Sequence, residues 1–201
     1  MEYAPWQGGY YERLIGIVKA ALQKTIGWKV LKFEDFRTLI NEVAVIVNSR
    51  PLTYVYDEPG ISTIRPMDFL QTGSPTGLLS VGTYDDPDYI LPQARKELVN
   101  LYNGNLALTD IYWELFRDEY LSSLREKQTV VHKGNDQRLR TVPKVGDIVC
   151  LKEVDLRRGE WKIGRVEAVN MRSDGYIRSV TVILSSLKRV EWSPEVLYPY
   201  F

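Results

Sequence analysis

Four runs, VGDIVCLK (145–152), GEWKIGRVEAV (159–169), IRSVTVILS (177–185) and LKRVEWS (187–193), decide the fold class. Each is short, rich in β-branched residues and bounded by Gly, Pro or Ser, which is the pattern of strands rather than helices. SDG at Ser173–Gly175 is a hairpin turn signal between the second and third runs. With the closing EVLYPY (195–200) these runs predict a small β-barrel over residues 142–201. Trp161 and Ile163 share one strand parity and Val166 and Ala168 the other. That switch predicts a bulge near Gly164, bending the second strand so that the sheet can close.

Upstream of Pro143 the periodicity changes from two to between three and four. Leu14, Ile15, Val18, Ala21, Leu22 and Ile26 make one apolar stripe, predicting a helix over 9–26. A second helix is predicted from about Glu34 to Asn48, with Phe36, Leu39, Ile40, Val43, Ile46 and Val47 inward and Pro51 enforcing the stop. PLTYVYDEPGISTIRPMDFLQTG (51–73) reads as an ordered, extended arm in which MDFL closes one helical turn. Residues 73–92, punctuated by Gly, Pro and Ser, read as a linker with acids at Asp85, Asp86 and Asp88. Two further helices are predicted, Gln93 to Leu106 and Asp110 to Arg125, with Trp113, Phe116, Tyr120 and Leu124 on one face. The fold class expected is therefore α+β, in segments 1–73, 74–141 and 142–201.

Composition narrows the function. The chain has 201 residues, 26 basic and 26 acidic side chains, one Cys and one His. One Cys excludes an internal disulfide, and Cys150 with His132 falls short of the four ligands of a structural zinc site. The longest apolar run is Val43–Val47, far short of a membrane span, so no membrane partner is expected. Zero net charge excludes a histone-like polycation but leaves room for local patches. Residues 1–33 hold five bases against two acids, and Lys144–Glu191 ten against seven. Arg157, Arg158, Lys162 and Arg165 are the cluster to watch, since guanidiniums along a strand edge hold phosphates without reading bases. Solvated surface is the other reading of that cluster.

The most specific stretch is APWQGGYYERLIGIVKAALQK (4–24). Paired glycines ahead of a helix permit unusual backbone angles, and Glu12 in the first turn suits the helix dipole. On spacing alone Glu12 is equally a solvated helix-start acid. Lys19, seven residues on, returns to nearly the same face. Arg50 in NSRPL either pairs with a local carboxylate or caps helix carbonyls, or else contacts DNA or a partner subunit.

WQGGYYERLIGIVKAAL, then NEVAVIVNSRPLTY and IRPMDFLQTG, resemble the end of the integrase catalytic core of BEL/Pao-type long-terminal-repeat retrotransposons. WELFRDEYLSSLRE, VGDIVCLKE, RGEWKIGRVEAV, DGYIRSVTV and LKRVEWSPEVLYP resemble the domain that follows that core. The resemblance implies an RNase-H-like remnant in 1–73, helices in 74–141, and a barrel of the Src-homology-3 type in 142–201. It makes Glu12 the third catalytic, metal-binding carboxylate of a polynucleotidyl transferase, and Lys19 a contact to the DNA end. Mg²⁺ or Mn²⁺ is the cofactor it implies for the complete enzyme, double-stranded DNA and an integrase oligomer the partners, and the nucleus the location. The family's first two aspartates have no counterpart in this sequence, so the expectation is a truncated integrase, inactive and metal-free on its own. With the core's sheet missing, both N-terminal helices are expected to expose their apolar faces. Trp161, Trp192, Tyr198 and Tyr200 leave an alternative, a chromatin- or protein-interaction module with aromatic walls.

Overall fold

A computed structural model describes residues 9–57, 60–70, 93–131, 143–153, 156–171 and 177–200. The chain is α+β. The expected linker, the SDG turn and His132 lie outside the described residues.

Helix α1 spans Gly9–Ile26, with Glu12 in its first turn and Lys24 in its last, both suited to the helix dipole. Gly27 ends it in the left-handed region at φ 57°, its amide donating to the Gln23 carbonyl at 2.8 Å. Helix α2, Phe33–Asn48, buries Leu39, Val43 and Ile46 and ends where Ser49 Oγ donates to the Ile46 carbonyl ahead of Pro51. The expected arm is a hairpin of β1 (Thr53–Asp57) and β2 (Gly60–Ile64), followed by the short helix α3 (Pro66–Leu70) that contains MDFL. Proline at its first position loses no hydrogen bond. Arg65 clasps Asp68 through its backbone N–H at 2.8 Å and its guanidinium at 2.7 Å, which holds the Asp68 carboxyl below its ordinary range.

Helix α4, Gln93–Val131, is one continuous element where two were expected. Nothing at 107–109 breaks it. Leu108 and Thr109 are both buried, and Thr109 Oγ1 donates to the Asn105 carbonyl at 2.8 Å, so the polar residue is satisfied within the helix. This helix is the spine of the molecule. Ala21, Leu39, Val43 and Ile46 share one core with its Leu108, Tyr112, Phe116, Tyr120 and Leu121, and that core runs on into Ile148, Cys150, Ile163, Tyr198 and Tyr200. The expected exposure of α1 and α2 is thus corrected in part, because α4 covers the inward face of both. Tyr11, Ile15, Phe33, Phe36, Phe69 and Leu70 stay exposed.

Strands β3 (Ile148–Leu151), β4 (Lys162–Met171), β5 (Ile177–Leu184), β6 (Arg189–Trp192) and β7 (Leu197–Pro199) form one antiparallel sheet in the order β6-β5-β4-β3-β7. A single 3₁₀ turn, Pro194–Val196, brings the chain back to β3. The sheet is open, since β6 and β7 share no ladder. All four residues of β3 are buried because each of its faces is covered. Ile148 and Cys150 meet the helical core, while Val149 and Leu151 join Val166, Val180, Val182, Leu184 and Leu197 in a second core. Among the described residues that second core contains strand residues alone, on the face of the sheet turned away from α4. Burial pushes the Cys150 thiol up to about 12, which leaves it protonated and inert at neutral pH.

The ladder irregularities in β4 fall at Glu167 and past Asn170, downstream of the position expected. Gly164 lies within regular pairing. The parity switch from Ile163 to Val166 arises because β4 is buried on both faces, Ile163 toward the helical core and Val166 toward the inner core. Gly164 is there for another reason, since a Cβ would lie 2.4 Å from Val182 Cγ1 and 2.7 Å from the Ile183 carbonyl oxygen.

Candidate functional site

Glu12 stands exposed on the first turn of α1, with Lys19 exposed two turns further on. Chemistry with two divalent ions needs several carboxylates converging on one point. Among the described residues no three acidic, His or Cys side chains gather into a group able to hold a metal ion. The described residues therefore do not fit the ion pair that the resemblance implies, and Glu12 brings only one of its ligands.

The four bases expected to act together are divided between two environments. Arg158 is drawn into the joint between α4 and the sheet, where its Nε donates to Asp110 Oδ1 at 3.0 Å. Lys162 is paired with Glu153. Arg157 and Arg165 are exposed, and neither forms a side-chain ion pair among the described residues. Arg165 shares the outer face of β4 with Ile163, opposite Ile148 of β3. The surface left free is smaller than the sequence suggests, because Glu153 takes Lys162 and α4 supplies Arg158 with an acid that linear spacing did not place beside it.

The acids of α4 are the residues that sequence reasoning missed. Asp110 and Asp118 lie eight residues apart on α4, little more than two turns and about 80° around the helix axis. Asp118 takes Lys152 Nζ at 2.9 Å. Between them Arg117, nearly fully buried, donates to the Glu153 carbonyl at 3.0 Å and lies over the Trp113 ring. One turn past Leu121, Arg125 sits 3.9 Å over the Tyr198 ring and donates to the Leu197 carbonyl at 3.1 Å and to that of Glu195. The available signal was weak: Asp110 and Arg117 flank the aromatic face of α4 at three- and four-residue spacing from Trp113, whereas Asp118 lies well round the helix from it.

Trp161 is the hub of this joint. Its ring meets Trp113, Phe116 and Tyr120 edge-on at 5.1, 6.5 and 5.4 Å between centroids, and its Nε1 donates to Ser49 Oγ at 3.3 Å. Tyr120 in turn donates to the Pro51 carbonyl at 3.2 Å. NSRPL is thus the point where α2 docks onto α4 and β4. Arg50 is buried there, and its guanidinium donates to the Val47 carbonyl at 2.8 Å. This is the helix-capping reading of Arg50, with the C-terminal dipole of α2 supporting its charge. Tyr198 and Tyr200 are buried against α4, and Trp192 packs on the inner core of the sheet. The four aromatics proposed as walls of a binding notch therefore face different cores.

The outer face of β4, β5 and β6 beyond α4 is polar and laced across the strands. Arg189 grips both oxygens of Glu167 at 2.7 and 2.9 Å, holding that carboxyl below its ordinary value. Glu191 accepts from Ser179 and from Asn170 Nδ2, which lowers it likewise. Arg178 is exposed beside this ladder.

Among the described residues no helix is long and apolar enough to cross a membrane. A family model described as a family of unknown function, DUF5641, matches residues 102–191. The match begins inside α4 and ends in β6, so it takes in the helix together with the sheet that packs on it. No curated protein and no solved structure matches the chain.

Proposed function

We propose that this chain is the C-terminal part of a BEL/Pao-type retrotransposon integrase and that its task is to hold duplex DNA in the nucleus, without assembling the catalytic metal pair itself. The carboxylates that complete the site around Glu12 come from outside the described residues. The observation that carries the reading is the pair Arg157 and Arg165, exposed and without a side-chain ion pair among the described residues, while Asp110 and Asp118 of α4 and Glu153 beyond β3 take Arg158, Lys152 and Lys162 around them. Two exposed guanidiniums, Arg165 on β4 and Arg157 in the connection that leads into it, suit backbone phosphates without base readout. Lys19, on the same side of α1 as Glu12, extends the contact toward a DNA end.

We read the sheet as a small barrel of the Src-homology-3 type. Two features support this reading: its last strand pairs with its first after a single 3₁₀ turn, and its inner face carries an aliphatic core. The three segments expected from the sequence, 1–73, 74–141 and 142–201, then act as core remnant, spine and DNA-holding sheet.

A strand-transfer assay with Mg²⁺ or Mn²⁺ and a labelled duplex tests the catalytic half of the proposal. The chain alone is expected to give no joined product. Turnover that Glu12→Gln abolishes would overturn it.

A further inference from the structure

Between Arg13 and Phe33 the sequence carries five basic residues and no acid. Lys24 reaches across to Glu119 of α4 at 2.7 Å, whereas Lys29 and Lys32 are exposed with no ion pair among the described residues. Both belong to the turn that joins α1 to α2. The turn is well defined rather than loose. Gly27 stops α1 in the left-handed region, the Lys29 amide donates to the Ile26 carbonyl at 3.1 Å, and Leu31 is half-buried against the helical core.

What this turn holds outward is unusual. An apolar residue just past a left-handed helix cap commonly folds back onto the last turn of its own helix. Trp28 occupies that position and is fully exposed, as is Val30, with Phe33 73% exposed at the start of α2. Phe36 follows at the three-residue spacing that puts it on the same side as Phe33, and Glu34 beside them is neutralised by Arg37 at 2.8 Å. Bare aromatic faces interleaved with ammonium groups are the two elements with which proteins hold unpaired nucleotides, since every base has a face to stack and every linkage a phosphate. Base pairs inside a duplex offer no such faces. A lipid surface calls for a continuous apolar helix face, and this turn presents only a few rings.

We propose that the α1–α2 turn, Gly27–Phe33, is a binding site for single-stranded nucleic acid, in which Trp28 and Phe33 stack on unpaired bases and Lys29 and Lys32 hold the flanking phosphates. The site involves different elements from Arg157 and Arg165 and does not rest on the duplex reading.

The test is fluorescence anisotropy of a labelled oligo-dT titrated with the whole chain. Trp28→Ala is expected to weaken binding about tenfold, and Trp28→Phe to restore most of it. Trp28 touches no core, so the thermal midpoint stays unchanged and separates lost binding from lost folding. Lys29→Ala with Lys32→Ala is expected to flatten the log–log salt dependence by about 1.4 units. In an Arg157→Ala/Arg165→Ala background the loss caused by Trp28→Ala is expected to keep its size, because the two sites act independently. Equal affinity of wild type and Trp28→Ala for oligo-dT would overturn the proposal. So would competition by a duplex of the same length as effective as that by unlabelled oligo-dT. Binding to phosphatidylcholine–phosphatidylserine vesicles without binding to oligo-dT would assign the turn to a membrane surface instead.

Discussion

The joint between α4 and the sheet and the turn between α1 and α2 are built from the same kinds of residue, bases and aromatic rings, placed in opposite ways. In the joint, Arg158 and Lys152 meet Asp110 and Asp118, Arg117 and Arg125 meet carbonyls and rings, and Trp161 is ringed by Trp113, Phe116 and Tyr120. In the turn, Lys29, Lys32 and Trp28 face solvent. The difference is the supply of partners. A long helix laid along the sheet brings acids and rings to the joint, while the nearest acids to the turn, Glu34 and Asp35, begin α2, and Glu34 pairs with Arg37 rather than with Lys29 or Lys32. Basic residues that look alike in the sequence are therefore structural in one region and free in the other.

The largest test of this contrast is truncation of one ring on each side. Phe116 is fully buried, so Phe116→Ala should cost about 3–5 kcal/mol in urea unfolding. Because its core joins helices and sheet, both should melt together in the variant. Phe33→Ala, in the turn, should stay within about 0.5 kcal/mol of wild type. Similar losses for both would break the contrast.

Two glycines give the next effect. Gly164→Ala drives a Cβ into Val182 Cγ1 and the Ile183 carbonyl and should destabilise by about 1–3 kcal/mol. Val182→Ala in the same chain should relieve only part of this, because the carbonyl contact remains. Gly16 lies within α1 with open space where its Cβ would be, so Gly16→Ala should instead stabilise by about 0.5–1 kcal/mol. Thermal denaturation of the three variants reads both signs.

Smaller still is the effect of converting a structural base into a free one. Asp110→Asn removes the charge opposite Arg158 at a pair whose acid is exposed although its arginine is largely buried, so stability should change by about 1 kcal/mol. Duplex-DNA affinity should rise two- to threefold, with a salt dependence steeper by up to about one unit. Unchanged affinity would mean that Arg158 stays turned into the joint without its acid.

The smallest effect concerns Asp68, whose carboxyl is held low chiefly by its hydrogen bond to Arg65. A depressed carboxyl contributes stability that is full above the ordinary aspartate value of about 3.9 and fades as pH falls through the lower folded value. The stability gap between wild type and Asp68→Asn should therefore be complete at neutral pH, persist somewhat below pH 4, and vanish in stronger acid. A gap that grew on acidification would contradict the Arg65 clasp.

Much of the fold was legible because it follows from local periodicity. The stripe from Leu14 to Ile26 gave α1 its limits, Pro51 the end of α2, and the β-branched runs the strands. The illegible part depends on contacts distant in the chain. Thr109 reads as a helix boundary until its hydroxyl is seen satisfied within α4. The parity switch in β4 reads as a bulge until both of its faces are seen to be covered. At the site, Glu12, Lys19, Arg157 and Arg165 lie on the surface as expected. Arg158 and Lys162 do not remain free: Asp110 is 48 positions away from its arginine with no spacing rule to join them, and Glu153 meets Lys162 only once the chain folds back from β3 to β4. Trp28 showed no periodic signal, because a residue in a turn belongs to no stripe.

Duplex-DNA binding measured by anisotropy from low to physiological salt, for wild type beside Arg157→Ala/Arg165→Ala, tests the central claim most directly. The account predicts that wild-type affinity falls steadily with salt and that the double variant binds more weakly, with a log–log slope shallower by about 1.8 units. Affinity indifferent to salt, or one slope for both proteins, would contradict it.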